Sequence, residues 1–269
     1  MQTQLDAAPF CDLLKEWRTR RRLSQLDLAT DAEISQRHLS FMESGRAKPS
    51  RDMVLRLAEQ LDITLRKRNQ LVLAAGFAPG FSERKLDDRS LAPAMRAVEQ
   101  VLKGHEPNPA IAVDNQWNMI AATDAIGSFL ADIGDTALLQ PPVNVLRLSL
   151  HPRGLAPRIL NLGSWRAHLL GRLKRQVEVS GDDRLEKLLA ELSAYPGQPG
   201  VPKSLADDGN DIAVPLRMRM NGEVLSFIST ITVFGTPLDI SLSELAIETF
   251  FPADEATTAF LHQQVTSAA

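Results

Sequence analysis

The spacing of apolar side chains in the first 76 residues predicts a compact group of five short helices. Phe10, Leu14 and Trp17 recur at helical spacing, so the first helix has one apolar face. The same pattern recurs in each following stretch, and the fifth helix runs from about Leu65 to a stop at Gly76.

Serines mark the starts of three of these helices. Ser24, Ser35 and Ser50 each precede an amphipathic stretch, and their hydroxyls can accept from the free N–H groups of a helix that begins there. Residues 36–44 form the third helix, and Gly45 follows it, as is typical of a helix end. Because the third helix begins just after Ser35, the residues Asp31, Ala32 and Glu33 form a tight turn between the second and third helices.

The pattern changes beyond residue 79, where short alternating runs predict β-strands. A turn-rich linker is expected at 79–92, between a helical domain at 1–78 and a second domain at 93–269. In the second domain we predict strands and helices in this order: a helix at 93–103, strands at 110–114 and 117–122, helices at 123–132, 143–150, 159–179 and 183–193, strands at 212–220, 223–234 and 244–252, and a helix to His262. The predicted fold is α+β, with about five antiparallel strands and helices over one face.

Charge is unevenly divided along the chain. Residues 1–78 carry 13 Lys and Arg against 10 Asp and Glu, a net charge of +3. The whole chain of 269 residues carries −3, which leaves −6 for residues 79–269. A basic end joined to an acidic remainder is typical of a protein in which one end meets nucleic-acid phosphate.

Several other classes of protein are excluded or disfavoured. Cys11 is the only cysteine, so neither an intramolecular disulfide nor a cysteine zinc cluster can form. The N-terminus lacks the basic start and apolar core of a signal peptide, and no apolar run approaches 18 residues. We therefore expect a soluble, cytoplasmic protein.

The segment SQLDLATDAEISQRHLSFMESGRAKPS, residues 24–50, resembles the helix-turn-helix of the phage-repressor-like XRE regulators. Ala29 is a small residue where the two helices approach closely, and Leu39 and Met42 hold inward positions. Glu33 departs from the family pattern, because such turns often carry Gly there. A left-handed residue other than Gly costs about 1 kcal/mol, which a turn can tolerate.

The resemblance implies sequence-specific binding to double-stranded DNA. A recognition helix reads base edges from the major groove with side chains near its N-terminus. Arg37 can donate two hydrogen bonds to guanine, Gln36 can pair with adenine, and Phe41 can contact a thymine methyl. Gln25 resembles the phosphate-clamping Gln of the family. The predicted DNA-binding residues are Gln25, Ser35, Gln36, Arg37, Ser40, Phe41, Arg46, Lys48 and Ser50.

Beyond this motif, the chain resembles the MmyB-like regulators from about residue 10 to residue 262. The segments that carry the resemblance are HEPNPAIAVDNQWNMIAATDA, NVLRLSLHPRGLAPRILNLGSWRAHLLGRLKRQ and LLAELSAYPG. It implies a PAS-like second domain and a non-covalent, fatty-acid-like ligand. Separately, because the histidines are scattered, we expect no metal site, and we expect no cofactor. Sensor domains of one fold bind unlike molecules, so fold alone does not define the ligand.

A small apolar ligand would lie between the sheet and the middle helices. The predicted ligand-binding residues are Trp117, Phe129, Leu146, Leu150, His151, Trp165, Leu169, Phe227 and Ile231. A carboxylate could be held by basic side chains of the same region, namely Arg147, Arg158, Arg166, His151 and His168.

Two other classes of function remain open. An enzyme is disfavoured, because the histidines are scattered and no HExxH, GxSxG, P-loop or GxGxxG motif occurs. Alternatively, the second domain binds a protein partner, as in an antitoxin-like or scaffolding protein. Such a domain should expose an apolar patch, whereas a ligand sensor should enclose a cavity of several hundred Å³, on the order of that in known ligand sites. In either case we expect a homodimer, since one module contacts few bases.

Overall fold

The computed structural model describes residues 8–197 and 214–268. The chain divides into two compact units. One contains the residues up to 83 together with 178–181 and 238–240, and the other contains the remaining residues. Among the described helices, none combines the length and the apolar character that a membrane crossing requires.

The first unit contains the five predicted helices. They are α1 (Phe10–Arg20), α2 (Gln25–Asp31), α3 (Gln36–Glu43), α4 (Arg51–Gln60) and α5 (Leu65–Ala74). The three predicted serine caps are present, since Ser24, Ser35 and Ser50 each accept a hydrogen bond from the backbone N–H three residues later. At Ser24 the capping box is complete, because Asp27 accepts from the Ser24 N–H in return at 2.9 Å.

One core holds these helices together. Leu14, Leu28, Leu39 and Leu57 are fully buried in it. Leu26, although apolar and also in α2, is 58% exposed. Leu26 and Leu28 are about 200° apart around a helix, so one apolar stripe cannot include both.

The turn between α2 and α3 has the predicted left-handed residue. Glu33 adopts φ 55°, and the following N–H of Ile34 donates to the Ala29 carbonyl at 2.9 Å. Gly45, with φ 72°, ends α3 as expected. The two helices of the motif are therefore joined and terminated by backbone geometry that the sequence already indicated.

From residue 92 onward the chain forms seven helices and five strands among the described residues. They are α6 (Ala92–His105), β1 (Ala110–Val113), β2 (Met119–Ala122), α7 (Ala125–Leu130), α8 (Val145–Leu150), α9 (Leu162–Ser180), α10 (Asp183–Ala194), β3 (Leu216–Met220), β4 (Glu223–Val233), α11 (Ile240–Ser243), β5 (Ala246–Pro252) and α12 (Glu255–Ala268). The strands form one antiparallel sheet in the order β2-β1-β5-β4-β3. The α+β fold and its five antiparallel strands are confirmed.

Helices cover both faces of this sheet, whereas one covered face was expected. Along β1, Ile111 packs with α8, α9 and α10, while Ala110 and Ala112 pack with Val98 and Leu102 of α6. Successive residues of a strand point to opposite faces, so α6 lies on the face away from the middle helices. The sequence spacing of α6 predicted the helix but not its face.

The hairpin between β3 and β4 turns where the sequence indicated. Asn221 and Gly222 have φ 51° and 84°, the positive values that such a two-residue turn requires. The predicted strand at 212–220 starts at Leu216, and Ile212 lies outside the described residues. The final helix continues to Ala268, six residues past the predicted end at His262.

Candidate functional site

The N-terminal half of α3 presents polar side chains to solvent. Gln36 and Arg37 are exposed, and Ser40 and Phe41 are half-buried. The guanidinium carbon of Arg37 lies 5.3 Å from the centre of the Phe41 ring, and that of Arg46 lies 5.9 Å from it. The aromatic ring therefore holds two cations beside the surface that would meet a DNA groove.

The polar residues that flank α3 include both helix caps and exposed cations. The hydroxyls of Ser35 and Ser50 cap α3 and α4 and are already used as acceptors. Lys48 is exposed in the segment between those helices, next to the exposed Arg46. All these residues lie in one stretch of chain, from the cap of α3 to the cap of α4.

A buried carboxylate at the end of α3 ties this helix to α1 and α2. Glu43 accepts two hydrogen bonds from Arg18, at 2.6 and 2.9 Å, in a bidentate pair. Gln25 donates its amide N–H to the same carboxylate at 2.7 Å. The side chains of Arg18 and Glu43 are only 13% and 4% exposed. This network fixes the angle at which α3 is presented.

These contacts shift the pKa values of Glu43 and Arg18. Burial alone raises the pKa of Glu43, but hydrogen bonds from Arg18 and Gln25 outweigh it and hold that pKa below the ordinary value. The hydrogen bond to Glu43 raises the pKa of Arg18. Both groups are therefore charged at neutral pH, as a buried pair must be to repay its desolvation.

The second unit contains an apolar cavity of about 90 Å³ between the sheet and the middle helices. Its walls come from α7, α8 and α9 on one side and from β1 to β5 on the other. It is lined by Pro109, Ile111, Met119, Ile126, Phe129, Leu130, Val145, Leu146, Leu148, Ser149, Leu155, Trp165, Leu169, Leu216, Met218, Phe227, Glu248 and Phe250. The rings of Phe129 and Phe227 pack against each other with their planes tilted by 60° and their centres 5.8 Å apart.

Comparison with family models gives two matches. Residues 94–263 match the MmyB-like transcription regulator ligand binding domain, and residues 14–67 match a helix-turn-helix domain. The first match alone covers more than half of the chain. The chain belongs to the MmyB-like transcription regulators. No curated protein matches it.

This membership settles the class of activity. The chain is a helix-turn-helix DNA-binding regulator of the XRE type with a ligand-binding domain. Both matched models describe transcription-regulator domains, and neither is a catalytic family. The cavity lies within the stretch of this MmyB-like regulator that matches the ligand-binding model.

Five of the nine predicted ligand-binding residues line the cavity of this MmyB-like regulator. They are Phe129, Leu146, Trp165, Leu169 and Phe227. Trp117 and Leu150 are buried in the surrounding core but do not line the cavity. His151 packs against the ring of Tyr195 instead.

Ile231 is placed wrongly by the sequence pattern. It pairs across the sheet with Glu248, but its side chain is 45% exposed and lies outside the cavity. It lies toward the far end of the long strand β4, where Thr230, Thr232 and Val233 are exposed as well. Alternation assigned the correct face but could not show where the covering helices end.

The predicted carboxylate anchors are occupied elsewhere. Arg147 makes a bidentate pair with Glu191 at 2.8 Å, and Arg166 donates to the carbonyls of the last turn of α10. Arg158 donates to the Phe129 carbonyl, and burial lowers its pKa. Among the residues described by the structure, no Lys, Arg or His lines the apolar cavity.

Arg147 instead borders a second, polar depression of about 240 Å³. Its lining contains amides, cations, two leucines and one carboxylate. The lining residues are Gln116, Asn118, Asn144, Arg147, Arg184, Leu185, Lys187, Leu188 and Glu191. The two hollows of this regulator are thus chemically different. The smaller one is lined mainly by aromatic and aliphatic side chains, and the larger one mainly by polar and charged ones.

Sequence reasoning missed two polar members of the apolar cavity. Ser149, on α8, accepts a hydrogen bond from the Trp165 indole N–H at 3.1 Å. Glu248 lies in the apolar run of β5 and is 3% exposed. The sequence did contain a sign that Glu248 is special. It is a carboxylate within a strand that also contains Ile247 and Phe250, and a buried strand position ordinarily excludes charge.

Proposed function

We propose that this regulator binds its operator as a homodimer in the cytoplasm and that an apolar, fatty-acid-like ligand in the second unit modulates the binding. The observation that supports ligand sensing is the cavity, which is walled by Phe129, Trp165 and Phe227 inside the matched ligand-binding domain. A ligand changes operator affinity only by binding one dimer geometry better than another.

The DNA contacts are divided between reading and positioning. Gln36 and Arg37 contact base edges, and Phe41 orients Arg37 and meets a thymine methyl. Arg46 and Lys48 contact phosphates, which fixes register without reading sequence. Gln25 contacts a phosphate through its second amide N–H, because the first is bound to Glu43.

The size of the cavity limits the form of the ligand. At about 90 Å³ it is smaller than the several hundred Å³ expected for a sensor. An engineered cavity of about 150 Å³ holds one benzene, so a long chain would fit only after the walls move apart. We propose that this movement is the signal that the ligand produces.

Native mass spectrometry of the full chain, purified from its expression host, tests ligand binding directly. Spectra are compared before and after denaturation with organic extraction. A retained mass in the range of an aliphatic ligand, lost on extraction, is the expected result. An empty dimer that also binds no added aliphatic compound would favour the alternative, in which the second domain binds a protein partner.

A further inference from the structure

Glu248 is the one charged side chain among the described residues that line the apolar cavity. It lies on β5 between Ile111 of β1 and Ile231 of β4, which pair with it on either side. Its side chain is 4% exposed. A carboxylate buried to this degree is costly unless hydrogen bonds satisfy its oxygens.

Only one of its two oxygens has a partner. Oε1 accepts a hydrogen bond from Arg172 of α9 at 3.0 Å. Among the described residues, none donates a hydrogen bond to Oε2. An ionised carboxylate has about four lone-pair sites, so Glu248 retains capacity to accept from a molecule in the cavity.

The partner cation also packs on an aromatic ring. The guanidinium carbon of Arg172 lies 4.3 Å from the centre of the Trp117 ring, which it covers while it binds Glu248. Arg172 does not line the cavity. Burial, followed by the charges of Arg172 and Arg175, lowers the pKa of the neighbouring His168, whereas the charge of Glu248 raises it. Of the two cations, Arg172 is the one that pairs with Glu248.

The carboxylate in the cavity wall disfavours a second anion there. A ligand carboxylate in the cavity would lie near Glu248, where two like charges in an apolar setting raise each other's energy. It would find no cation on the described walls to compensate. A hydroxyl or N–H group would instead satisfy Oε2 and leave the charge balance unchanged.

We infer that the cavity selects an apolar molecule whose polar end is a hydrogen-bond donor placed against Glu248, rather than a carboxylate. The inference rests on the proposed ligand-sensing function and specifies its chemistry. The ligand resembles a fatty acid in its chain and an alcohol in its head group. Glu248 is then the group that determines specificity, and the aromatic walls supply the apolar contact.

Isothermal titration of the full chain at neutral pH with octanol and with octanoate tests this inference, because the two probes share one chain. Octanol should bind at least about tenfold more tightly, since burying an uncompensated charge costs more than the 1.4 kcal/mol that a factor of ten represents. Equal or tighter binding of octanoate would overturn the inference and leave the sensor function intact. Binding of neither probe would overturn both.

The Glu248→Gln variant tests whether Glu248 itself sets the preference for octanol over octanoate. The neutral amide leaves Arg172 as an unpaired cation, so the preference should reverse toward octanoate. In the double variant Glu248→Gln/Arg172→Gln both charges are absent, so octanol should still be preferred but by a smaller factor than in the wild type, because octanoate must still lose its hydration. An undiminished wild-type preference in either folded variant contradicts the inference.

Met218→Leu serves as the matched control, because Met218 lines the same cavity and carries no charge. A volume-conserving change of this kind costs little stability. It should alter the affinities for octanol and octanoate alike and leave their ratio unchanged. If the ratio changes as it does in Glu248→Gln, wall shape and not the carboxylate sets the preference.

Discussion

At the scale of single residues, the recognition surface combines exposed readers with a buried support. Phe41 lies beside the guanidiniums of both Arg37 and Arg46, at distances where a cation is attracted to a ring face. Glu43, two residues further along α3, is bound by Arg18 and Gln25. The first group meets solvent and the second is enclosed, so substitutions in the two groups should separate binding from stability.

Substitutions at Arg37 and Lys48 should affect DNA binding in different ways. Arg37→Ala should cost about 1–3 kcal/mol at one base pair and relax the preference there. Lys48→Ala should weaken all sequences alike and reduce the slope of log affinity against log salt by about one. Fluorescence anisotropy with a selected operator and single-base variants measures both. A sequence-selective loss in Lys48→Ala would contradict its assignment to the backbone.

Glu43→Gln should destabilise the first unit. It leaves Arg18 buried with a neutral partner, and breaking one side of a buried pair costs about 3 kcal/mol. Chemical denaturation followed by circular dichroism measures the change in the free energy of unfolding. Glu16→Gln is a suitable control, since Glu16 pairs with Arg20 at the surface and should contribute well under about 1 kcal/mol. Equal losses in the two variants would contradict the role of Glu43.

The same pair predicts how stability depends on pH. Because the folded-state pKa of Glu43 is lowered, its contribution is present above the unfolded value of about 4.3 and is lost as pH falls through the folded value. The difference in unfolding free energy between wild type and Glu43→Gln should be constant above about pH 5 and shrink in more acidic solution. If the difference in unfolding free energy does not shrink in acid, groups other than Glu43 cause the loss of stability at low pH.

At the scale of elements, short sequence signals correctly predicted the helix caps and the turns, which depend on nearby residues alone. Ser24, Ser35, Gly45 and the Asn221-Gly222 turn each act on backbone within a few residues, and each occurs as predicted. The cavity could be predicted only in part, because its walls come from strands and helices far apart in the chain. Alternation gave the face of β4 but not the exposure of Ile231, which depends on how far the opposing helices reach.

The turn between α2 and α3 offers a test of backbone strain. Glu33 holds φ 55°, a conformation that Gly adopts without a Cβ penalty. Glu33→Gly should therefore raise the free energy of unfolding, by up to about 1 kcal/mol after the added freedom of the unfolded chain is counted. Glu33→Ala keeps a Cβ and should give no such gain. Thermal unfolding compares the three proteins, and a destabilised Gly variant would show that Glu33 makes a contact of its own.

At the scale of the whole molecule, charge and symmetry should determine which DNA is bound. The sequence is basic to residue 78 and acidic beyond it, so one end of each chain is suited to a duplex. Two copies related by a two-fold axis would read two half-sites with the same recognition helices. An operator selected from a pool of random duplexes should accordingly contain an inverted repeat.

Spacing between those half-sites should be strict. Recognition helices of a dimer bind about 34 Å apart, one turn of the duplex. Inserting about five base pairs between the half-sites moves one of them to the opposite face of the DNA and should reduce affinity to that of a single half-site. Substituting the same central positions without a change of length is the control. Unchanged affinity after the insertion would mean that monomers bind independently.

Trp165 forms part of the cavity wall, donates its indole N–H to Ser149 and stacks on His168 with ring centres 5.6 Å apart. Indole emission depends on the polarity around the ring and on contact with a quenching imidazole. A molecule in the cavity would lie near this ring. The protein therefore contains its own optical probe, because a change in indole emission, measured over the signal of Trp17 and Trp117, can follow occupancy in real time without a label.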